Sequence, residues 1–173
     1  MTKTSPATQT TYALTLTDEA ATVRLGAVLA PLLPPAGVVA LQGPLGAGKS
    51  ALARAIIRAL LDDPTATVPS PSFTIVQTYP LSAEREVWHV DLYRLRDDEE
   101  LIELGLDEAT PTDLVLVEWP ERAPALAAAA KLTISLAVDE HTDARYAAMR
   151  ARDGDLMTTL QVALKVAGWD GAR

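Results

Sequence analysis

The first notable feature of this sequence is a glycine-rich loop between an apolar run and a helical pattern. Residues 43–50 read Gly-Pro-Leu-Gly-Ala-Gly-Lys-Ser, which matches the phosphate-binding pattern G-x-x-x-x-G-K-[ST]. Glycines in such a loop allow positive φ angles and a close approach of the backbone to an anion. The amide groups that begin the following helix add to the attraction for phosphate. The stretch therefore predicts a strand, a phosphate-binding loop and a helix, in that order.

Two residues at the end of this loop indicate a nucleoside triphosphate. Lys49 brings a compact positive charge to the β and γ phosphates, and Ser50 offers a hydroxyl to Mg²⁺. A flexible glycine turn would explain the glycines but not a Lys-Ser pair in register. A guanine-reading Asn/Thr-Lys-x-Asp motif does not occur in the sequence, which favours ATP as the nucleotide.

Composition limits the classes of function. The chain has 173 residues, a formal net charge of −8 and no cysteine. Without cysteine it has no disulfide, thiolate metal site or cysteine nucleophile, and no apolar run reaches the length of a transmembrane helix. The acidic balance argues against gripping a nucleic-acid backbone unaided. We therefore predict one cytoplasmic domain over 1–173 with a flexible tail at 1–11, no membrane or DNA partner, and RNA contact only through a partner protein.

Apolar periodicity predicts alternating strands and helices before and after the loop. Residues 12–16 form a strand, Thr17-Asp18-Glu19 caps a helix, and 50–61 form the helix after the loop. The apolar side of the first helix is predicted to consist of Val23, Leu25, Val28, Leu29 and Leu32. The predicted architecture is a P-loop NTPase-like three-layer α/β/α fold with a mixed central sheet.

Further elements follow in the second half of the chain. Two prolines make 68–73 a stiff extended loop, and strand 74–79 pairs antiparallel with 86–93. An acidic cap at 97–100 begins a short helix that Gly105 ends. The apolar run 114–117 is typical of a strand buried on both faces. The remaining predicted elements are a helix at 124–130, a hairpin of 131–138 with 144–150, and a C-terminal helix over 156–167.

Two acids are candidates for the carboxylate that a P-loop enzyme uses near Mg²⁺. Glu118 directly follows the buried strand, and Asp91 lies in a strand of mixed polarity. The alternatives are a solvent-exposed strand-end carboxylate for Glu118 and a solvated face residue for Asp91. Because a phosphate loop is present, we favour the functional interpretation for both and assign Glu118 the stronger claim.

Three more polar residues allow two interpretations each. Ser70 and Ser72 are either turn hydroxyls or part of a switch segment that senses the γ-phosphate. His89 shares a strand face with Asp91, but a hydrogen-bonded strand histidine is the favoured interpretation over a metal ligand. His141, the other histidine, is predicted to be solvated in a turn.

Four motifs together carry a resemblance to a known family. They are, in chain order, the loop at 43–50, Ser-Pro-Ser-Phe-Thr at 70–74, Asp-Leu-Tyr-Arg-Leu at 91–95 and Val-Glu-Trp-Pro-Glu at 117–121. In this order the motifs resemble those of the TsaE (YjeE) family of small bacterial ATPases. The family usually has threonine where Ser50 and Ser72 stand, and serine keeps the hydroxyl at both positions.

The resemblance implies a role for each motif. The family supports formation of N6-threonylcarbamoyladenosine at position 37 of tRNAs that read ANN codons, and its members bind and act with the TsaB–TsaD pair. ATP or ADP is expected to contact the loop and Trp119, while Ser50, Asp91 and Glu118 are expected at Mg²⁺. Lys49, Asp91 and Glu118 are the expected catalytic residues. The predicted nucleotide-contacting residues are Gly43, Pro44, Leu45, Gly46, Ala47, Gly48, Lys49, Ser50, Ala51 and Trp119.

Two other functions stay open from the residues themselves. One is a small P-loop kinase acting on a metabolite or nucleoside, although the arginine-rich lid common in such kinases is not found in the sequence. The other is a nucleotide-dependent binding module that does not hydrolyse its ligand. Phosphate release with and without partner proteins would separate the three functions.

Overall fold

Strands and helices alternate along much of the chain in the computed structural model, which describes residues 11–95, 98–142 and 144–171. The strands are β1 (Thr11–Leu16), β2 (Gly37–Gln42), β3 (Val76–Ser82), β4 (Arg85–Asp91), β5 (Leu114–Glu118), β6 (Leu132–Val138) and β7 (Arg145–Ala151). The α-helices are α1 (Glu19–Leu29), α2 (Lys49–Leu60), α3 (Asp98–Glu103), α4 (Leu106–Ala109), α5 (Pro124–Ala129) and α6 (Gly154–Val166). Short 3₁₀ turns lie at Ala30–Leu32 and Pro120–Arg122.

The strands of the described residues form one mixed sheet in the order β1-β7-β6-β2-β5-β4-β3. β6, β2, β5 and β4 run parallel, whereas β3 and β7 pair antiparallel with β4 and β6. β1 pairs antiparallel with β7. In open α/β sheets, ligands bind outside the carboxyl ends of parallel strands. The residues that end β2, β4 and β5 therefore meet at the edge where a ligand is expected.

Apolar side chains form a core on each face of the sheet. Val39 and Leu41 of β2 point to the core that α1, α2 and α6 cover. Val38 and Ala40, the alternate residues, point to the core that α4 and α5 cover. The alternation follows from the two-residue period of a strand. Helices on both faces of a mixed sheet confirm the predicted three-layer α/β/α architecture.

Helix α1 begins as predicted, and its predicted apolar side is correct except at Val23: Leu25 and Leu29 are buried in the core, and Val28 and Leu32 pack against it. The Asp18 side chain caps it by accepting a hydrogen bond from the Ala21 amide at 2.7 Å. Val23, predicted to be on the apolar side, is 52% exposed, whereas Thr22 is 3% exposed. The reason is the contact with α2: a Cβ on Gly26 would lie 2.5 Å from the Cβ of Ala55, so the helix approaches α2 through its glycine. That approach turns Val23 towards solvent.

Strand β3 starts and ends later than predicted. The Ile75 amide donates to the Pro71 carbonyl at 2.7 Å, and Ile75 has a φ of 65°, so 71–75 form a turn instead of a strand start. The strand then continues through Pro80. Because β3 is at the edge of the sheet, a proline there removes no hydrogen bond that a further strand would need.

The remaining elements agree with the predicted order and differ at their boundaries. β4 ends at Asp91 because the chain turns there, and the Tyr93 amide donates a hydrogen bond of 3.0 Å to the Asp91 carboxylate. Gly105 ends α3 with a φ of 69°, but the unpredicted helix α4 follows it directly. The acidic cap predicted at Asp97 lies outside the described residues, as does the predicted tail apart from Thr11, which begins β1. Within the described ranges, no helix has the length and apolarity needed to cross a membrane.

Candidate functional site

The phosphate loop connects β2 to α2 with the geometry that its glycines permit. Gly43 has a φ of 138° and Gly48, the residue before α2, a φ of 100°. A Cβ on Gly43 would lie 2.2 Å from the Leu136 carbonyl oxygen, a backbone atom of the neighbouring strand β6. Side chains are therefore excluded at Gly43 both by backbone conformation and by space.

Lys49 is folded back into this loop. It is 4% exposed, and its Nζ donates to the carbonyl oxygens of Gly43 at 2.7 Å and Pro44 at 2.9 Å. The indole ring of Trp119 covers it, with Nζ 3.7 Å from the ring centroid. Burial lowers the pKa of Lys49 below its ordinary value of 10.5, while the negative charges of Glu118, Glu121 and Asp91 act in the opposite direction. The site thus contains a cation held among oxygen atoms.

The two candidate acids lie side by side at the carboxyl edge of the sheet. Parallel pairing of β4 and β5 sets Asp91 opposite Glu118, and pairing of β2 and β5 sets Leu41 opposite Glu118. Asp91 is 5% exposed and Glu118 is 1% exposed. The alternative interpretations, in which both carboxylates are solvated, are therefore wrong. Buried carboxylates are stable only when hydrogen bonds and charges compensate for lost water.

Each carboxylate receives such hydrogen bonds. Glu118 Oε2 accepts from the Ser50 hydroxyl at 2.8 Å, and Glu118 Oε1 lies 2.8 Å from His89 Nε2. Asp91 Oδ2 accepts from the Ser72 hydroxyl at 2.9 Å. These residues form a polar cluster of two adjacent hydrogen-bonded groups, one in which the Ser50 hydroxyl donates to Glu118 and one in which the Ser72 hydroxyl donates to Asp91.

A cavity of about 220 Å³ opens beside this cluster. Its lining residues are Leu45, Gly46, Gly48, Lys49, Ser50, Ala51, Ser72, Asp91, Tyr93, Glu118 and Trp119. Gly43, Pro44 and Ala47 do not line it: Ala47 is fully buried, and the other two direct their carbonyls to Lys49. Contact of these three with the nucleotide stays a prediction. A larger groove of about 290 Å³ lies between α1 and α2, and neither Asp91 nor Glu118 lines it.

The donors around the cavity fit a magnesium ion. Ser50, Glu118 and Asp91 present a hydroxyl and two carboxylates, which are hard oxygen ligands of the type that Mg²⁺ prefers. Mg²⁺ in nucleotide sites commonly takes one or two protein oxygens, with phosphate and water completing its shell. The hydrogen bond between Ser50 Oγ and Glu118 Oε2, 2.8 Å long, places two of these oxygens side by side.

Comparison with known proteins places the chain in a family. The family model described as "Threonylcarbamoyl adenosine biosynthesis protein TsaE" matches residues 16–147. The chain belongs to the TsaE family. This membership confirms the resemblance that the four sequence motifs carry.

Relatives show how far the similarity extends. The tRNA threonylcarbamoyladenosine biosynthesis protein TsaE of Haemophilus influenzae is 34% identical over 134 residues, which cover 74% of this chain and 82% of that protein. The protein of the same name from Rickettsia conorii is 43% identical over 107 residues, 62% of this chain and 60% of that protein. The matched part thus spans about three fifths of the length of this relative and of the Rickettsia felis relative.

A solved structure shares the fold. Bacillus subtilis YdiB superimposes with a TM-score of 0.73, covering 94% of this chain and 100% of that chain at 21% identity. At this identity the comparison concerns the fold, and it agrees with the P-loop architecture of a TsaE-family chain.

The Ser-Pro-Ser-Phe-Thr motif of this TsaE-family chain lies at the cavity. The hydroxyls of Ser70 and Ser72 are 2.8 Å apart, and Ser72 continues to Asp91. Phe73 is 82% exposed, with the Arg94 guanidinium 4.4 Å from its ring centroid. The segment therefore has one side on a candidate catalytic acid and the other at the protein surface.

His89 is a residue whose place in the site the sequence did not establish. The favoured interpretation, a hydrogen-bonded strand histidine, is correct as far as it goes, because Nε2 is hydrogen-bonded and the side chain is fully buried. Its partner is Glu118, which lies 29 positions later in the chain. The shared strand face of His89 and Asp91 was the available signal, but only the β4–β5 register identifies the partner. His141 is exposed, as predicted.

Proposed function

We propose that this chain is a Mg²⁺-dependent ATPase that supports threonylcarbamoyladenosine modification of tRNA together with the TsaB–TsaD pair. The observation that carries the proposal is the buried pair Asp91 and Glu118, aligned in register and facing the phosphate loop. Such acids at the carboxyl edge of a P-loop sheet are suited to metal binding and to orienting water. The family membership supplies the modification pathway.

The proposed reaction assigns a task to each group. Loop amides and Lys49 bind the phosphates. Lys49 Nζ gives up its hydrogen bonds to the Gly43 and Pro44 carbonyls and donates to phosphate oxygens instead. Ser50, Asp91 and Glu118 would hold Mg²⁺, which when bound neutralises negative charge on the phosphate oxygens. Glu118 orients a water whose oxygen bonds to the γ-phosphorus as the bond to the ADP oxygen breaks. The proton lost by that water passes to a carboxylate and then to solvent.

The net charge supports an accessory role towards tRNA. At −8 the chain lacks the positive balance by which proteins neutralise a nucleic-acid backbone. We infer that the partner proteins hold the cytoplasmic tRNA and that this chain meets it only within the complex. The exposed side of the Ser-Pro-Ser-Phe-Thr motif is suited to transmit the difference between the ATP-bound and ADP-bound states to a partner protein.

The first test is Lys49→Ala, with the exposed lysine variant Lys165→Ala as its control. Removing a charge-assisted hydrogen bond of about 1.5–3 kcal/mol corresponds to a loss of about 10- to 150-fold in ATP affinity. Calorimetric ATP titration and far-UV CD would measure affinity and fold together. We expect weakened binding in the folded Lys49→Ala protein and parental binding in the control. Unchanged affinity in Lys49→Ala would overturn the nucleotide assignment.

Phosphate release with and without TsaB–TsaD separates the candidate reactions. We expect Mg²⁺-dependent ATP hydrolysis that increases when the partners are added. Transfer of phosphate to a small molecule would instead identify a kinase, and binding without turnover under every condition would identify a non-hydrolysing module.

A further inference from the structure

The buried carboxylate of Glu118 is engaged from both of its oxygens. Oε2 accepts from Ser50 in α2, on the nucleotide side, and Oε1 lies 2.8 Å from His89 Nε2 in β4, on the protein side. His89 is fully buried and Glu118 is 1% exposed. Solvent therefore does not compete for Oε1, and His89 is its hydrogen-bonding partner.

The strand register explains how this contact forms. In the parallel pairing of β4 with β5, His89 lies opposite Leu116 and Asp91 lies opposite Glu118. Because alternate residues share a strand face, His89, Asp91, Leu116 and Glu118 all project to the same side. His89 thus reaches diagonally to the acid that ends the neighbouring strand. Both partners lie on interior strands of the sheet, each paired on both sides, rather than on loops, so the contact is supported on rigid elements.

The second ring nitrogen defines what His89 can do. Nδ1 is buried and has no hydrogen-bond partner among the residues that the structure describes. An N–H at that position would be a buried donor without an acceptor, which is a costly arrangement, whereas a bare lone pair costs less. We therefore assign the ring proton to Nε2, so that His89 donates to Glu118 Oε1.

We propose that His89 is a positioning residue that fixes the orientation of Glu118. A glutamate side chain has several rotatable bonds, and a donor on Oε1 restricts its carboxylate to the orientation in which Oε2 points at Ser50 and the cavity. This proposal rests on the proposed function, because the orientation matters for hydrolysis only if Glu118 acts on water or Mg²⁺. Mutation of a residue that orients a metal-binding side chain through a hydrogen bond typically lowers activity or metal affinity by about 10- to 100-fold.

Two amide variants of His89 carry the same polar group on side chains of different length, so they test whether the donor must reach Glu118. In His89→Gln the amide nitrogen can occupy the place of Nε2 and donate to Glu118. In His89→Asn the same amide group is one methylene too short. We expect about 10- to 100-fold slower single-turnover ATP hydrolysis in His89→Asn and much smaller loss in His89→Gln. ATP affinity, measured by titration, should change little in either. His141→Asn, which alters the exposed histidine, is the matched control and should keep the parental rate.

A double-mutant cycle tests whether His89 acts through Glu118. If it does, His89→Asn should slow the parent but have no further effect in a Glu118→Gln background, since residues that act as a unit are not additive. Equal rates in the parent, His89→Gln and His89→Asn would overturn the proposal. A rate loss in His89→Asn that persists in full in the Glu118→Gln background would also overturn it, because the histidine would then act by another route.

A spectroscopic measurement tests the contact without reference to activity. In ¹⁵N NMR of the parent protein we expect His89 as the Nε2–H tautomer with a slowly exchanging proton. This signal should move in Glu118→Gln while that of His141 stays. An Nδ1–H tautomer, or no response to Glu118→Gln, would contradict the proposal even if the chain proved inactive towards ATP. Conversely, absence of hydrolysis with the expected NMR result would count against the proposed function alone.

Discussion

At the scale of single residues, the site is a set of buried charges that compensate one another. Lys49, Asp91 and Glu118 are each at most 5% exposed. Burial alone lowers the pKa of Lys49, and the nearby carboxylates favour its charged form. Breaking one member of such a buried set leaves its partner uncompensated, which destabilises more than loss of a surface pair. A variant that keeps shape and polarity, such as Glu118→Gln, disturbs this set of buried groups least.

Glu118→Gln keeps the shape of the side chain and removes its charge. We expect ATP binding to persist and hydrolysis to fall by about 10²- to 10⁴-fold, the range typical of a lost proton-transfer group. Single-turnover hydrolysis would measure the effect, with the exposed Glu84→Gln as control. A near-parental rate in Glu118→Gln would transfer the principal catalytic role to Asp91.

Asp91 has a second task in our interpretation. Its carboxylate accepts from Ser72 and from the Tyr93 amide, so it joins the cavity to two segments that reach the surface. We expect Asp91→Ala to impair hydrolysis and, in addition, to reduce the stimulation by TsaB–TsaD. Comparing the fold-stimulation of Asp91→Ala and Glu118→Gln would check this. Equal stimulation in the two variants would count against a coupling role for Asp91.

At the scale of elements, the segment between α2 and β3 is stiff, strained and attached to the site. Pro69 and Pro71 restrict its backbone, and Ile75 adopts a positive φ of 65°, which is unusual for a β-branched residue. Strain of this kind costs about 1–3 kcal/mol and occurs often at switch regions. Here two hydrogen bonds hold the conformation, one from the Ile75 amide to the Pro71 carbonyl and one from the Ser72 hydroxyl to the Asp91 carboxylate.

Hydrogen exchange tests whether this segment responds to nucleotide. We expect the amides of 72–75 to be more protected with an ATP analogue than with ADP, because the γ-phosphate would lie beside Ser72. Amides of α6, on a distant part of the sheet, provide the internal control. Ser72→Ala should remove most of the difference between the two nucleotides. Identical protection of the segment in both states would refute the switch interpretation.

At the scale of the whole molecule, the first strand and the last helix close one side of the sheet. β1 pairs with β7, and the Tyr12 hydroxyl donates to the Trp169 carbonyl at 2.5 Å, just beyond α6. The Arg24 guanidinium lies 5.2 Å from the Trp169 ring centroid, which adds α1 to the same contact. Burial, and secondarily the charge of Asp170, raise the pKa of Tyr12 above its ordinary value of 10.0.

Tyr12→Phe should therefore have an effect that depends on pH. At neutral pH we expect it to lower the free energy of unfolding by about 0.5–1.5 kcal/mol through the lost hydrogen bond. The raised pKa means that the folded state favours the protonated phenol. This contribution is fully present below the unfolded-state pKa and is lost as pH rises through the folded-state pKa. Urea unfolding of parent and variant should show the difference shrinking above pH 10. A difference independent of pH would contradict this account.

Local sequence patterns determine a large part of this protein. The phosphate loop follows from glycine spacing, β5 from a continuous apolar run, and the cap of α1 from Asp18, because each depends on residues that are neighbours in the chain. The same local signals placed Glu118 at a strand end, but they placed Asp91 inside the predicted strand 86–93, and only the structure shows that β4 ends at Asp91. Local periodicity failed at Val23, since the direction from which α2 approaches α1 is not encoded in the pattern of α1 alone.

The partners within the site depend on tertiary structure. Which acid meets Ser50, which hydroxyl meets Asp91 and which residue supports Glu118 all follow from β5 lying between β2 and β4 in one specific register. A shift of one residue in the β4–β5 pairing would turn His89 and Asp91 to the opposite face. Burial on both faces of the sheet excludes that shift, and the buried acids acquire their partners only once the sheet has assembled.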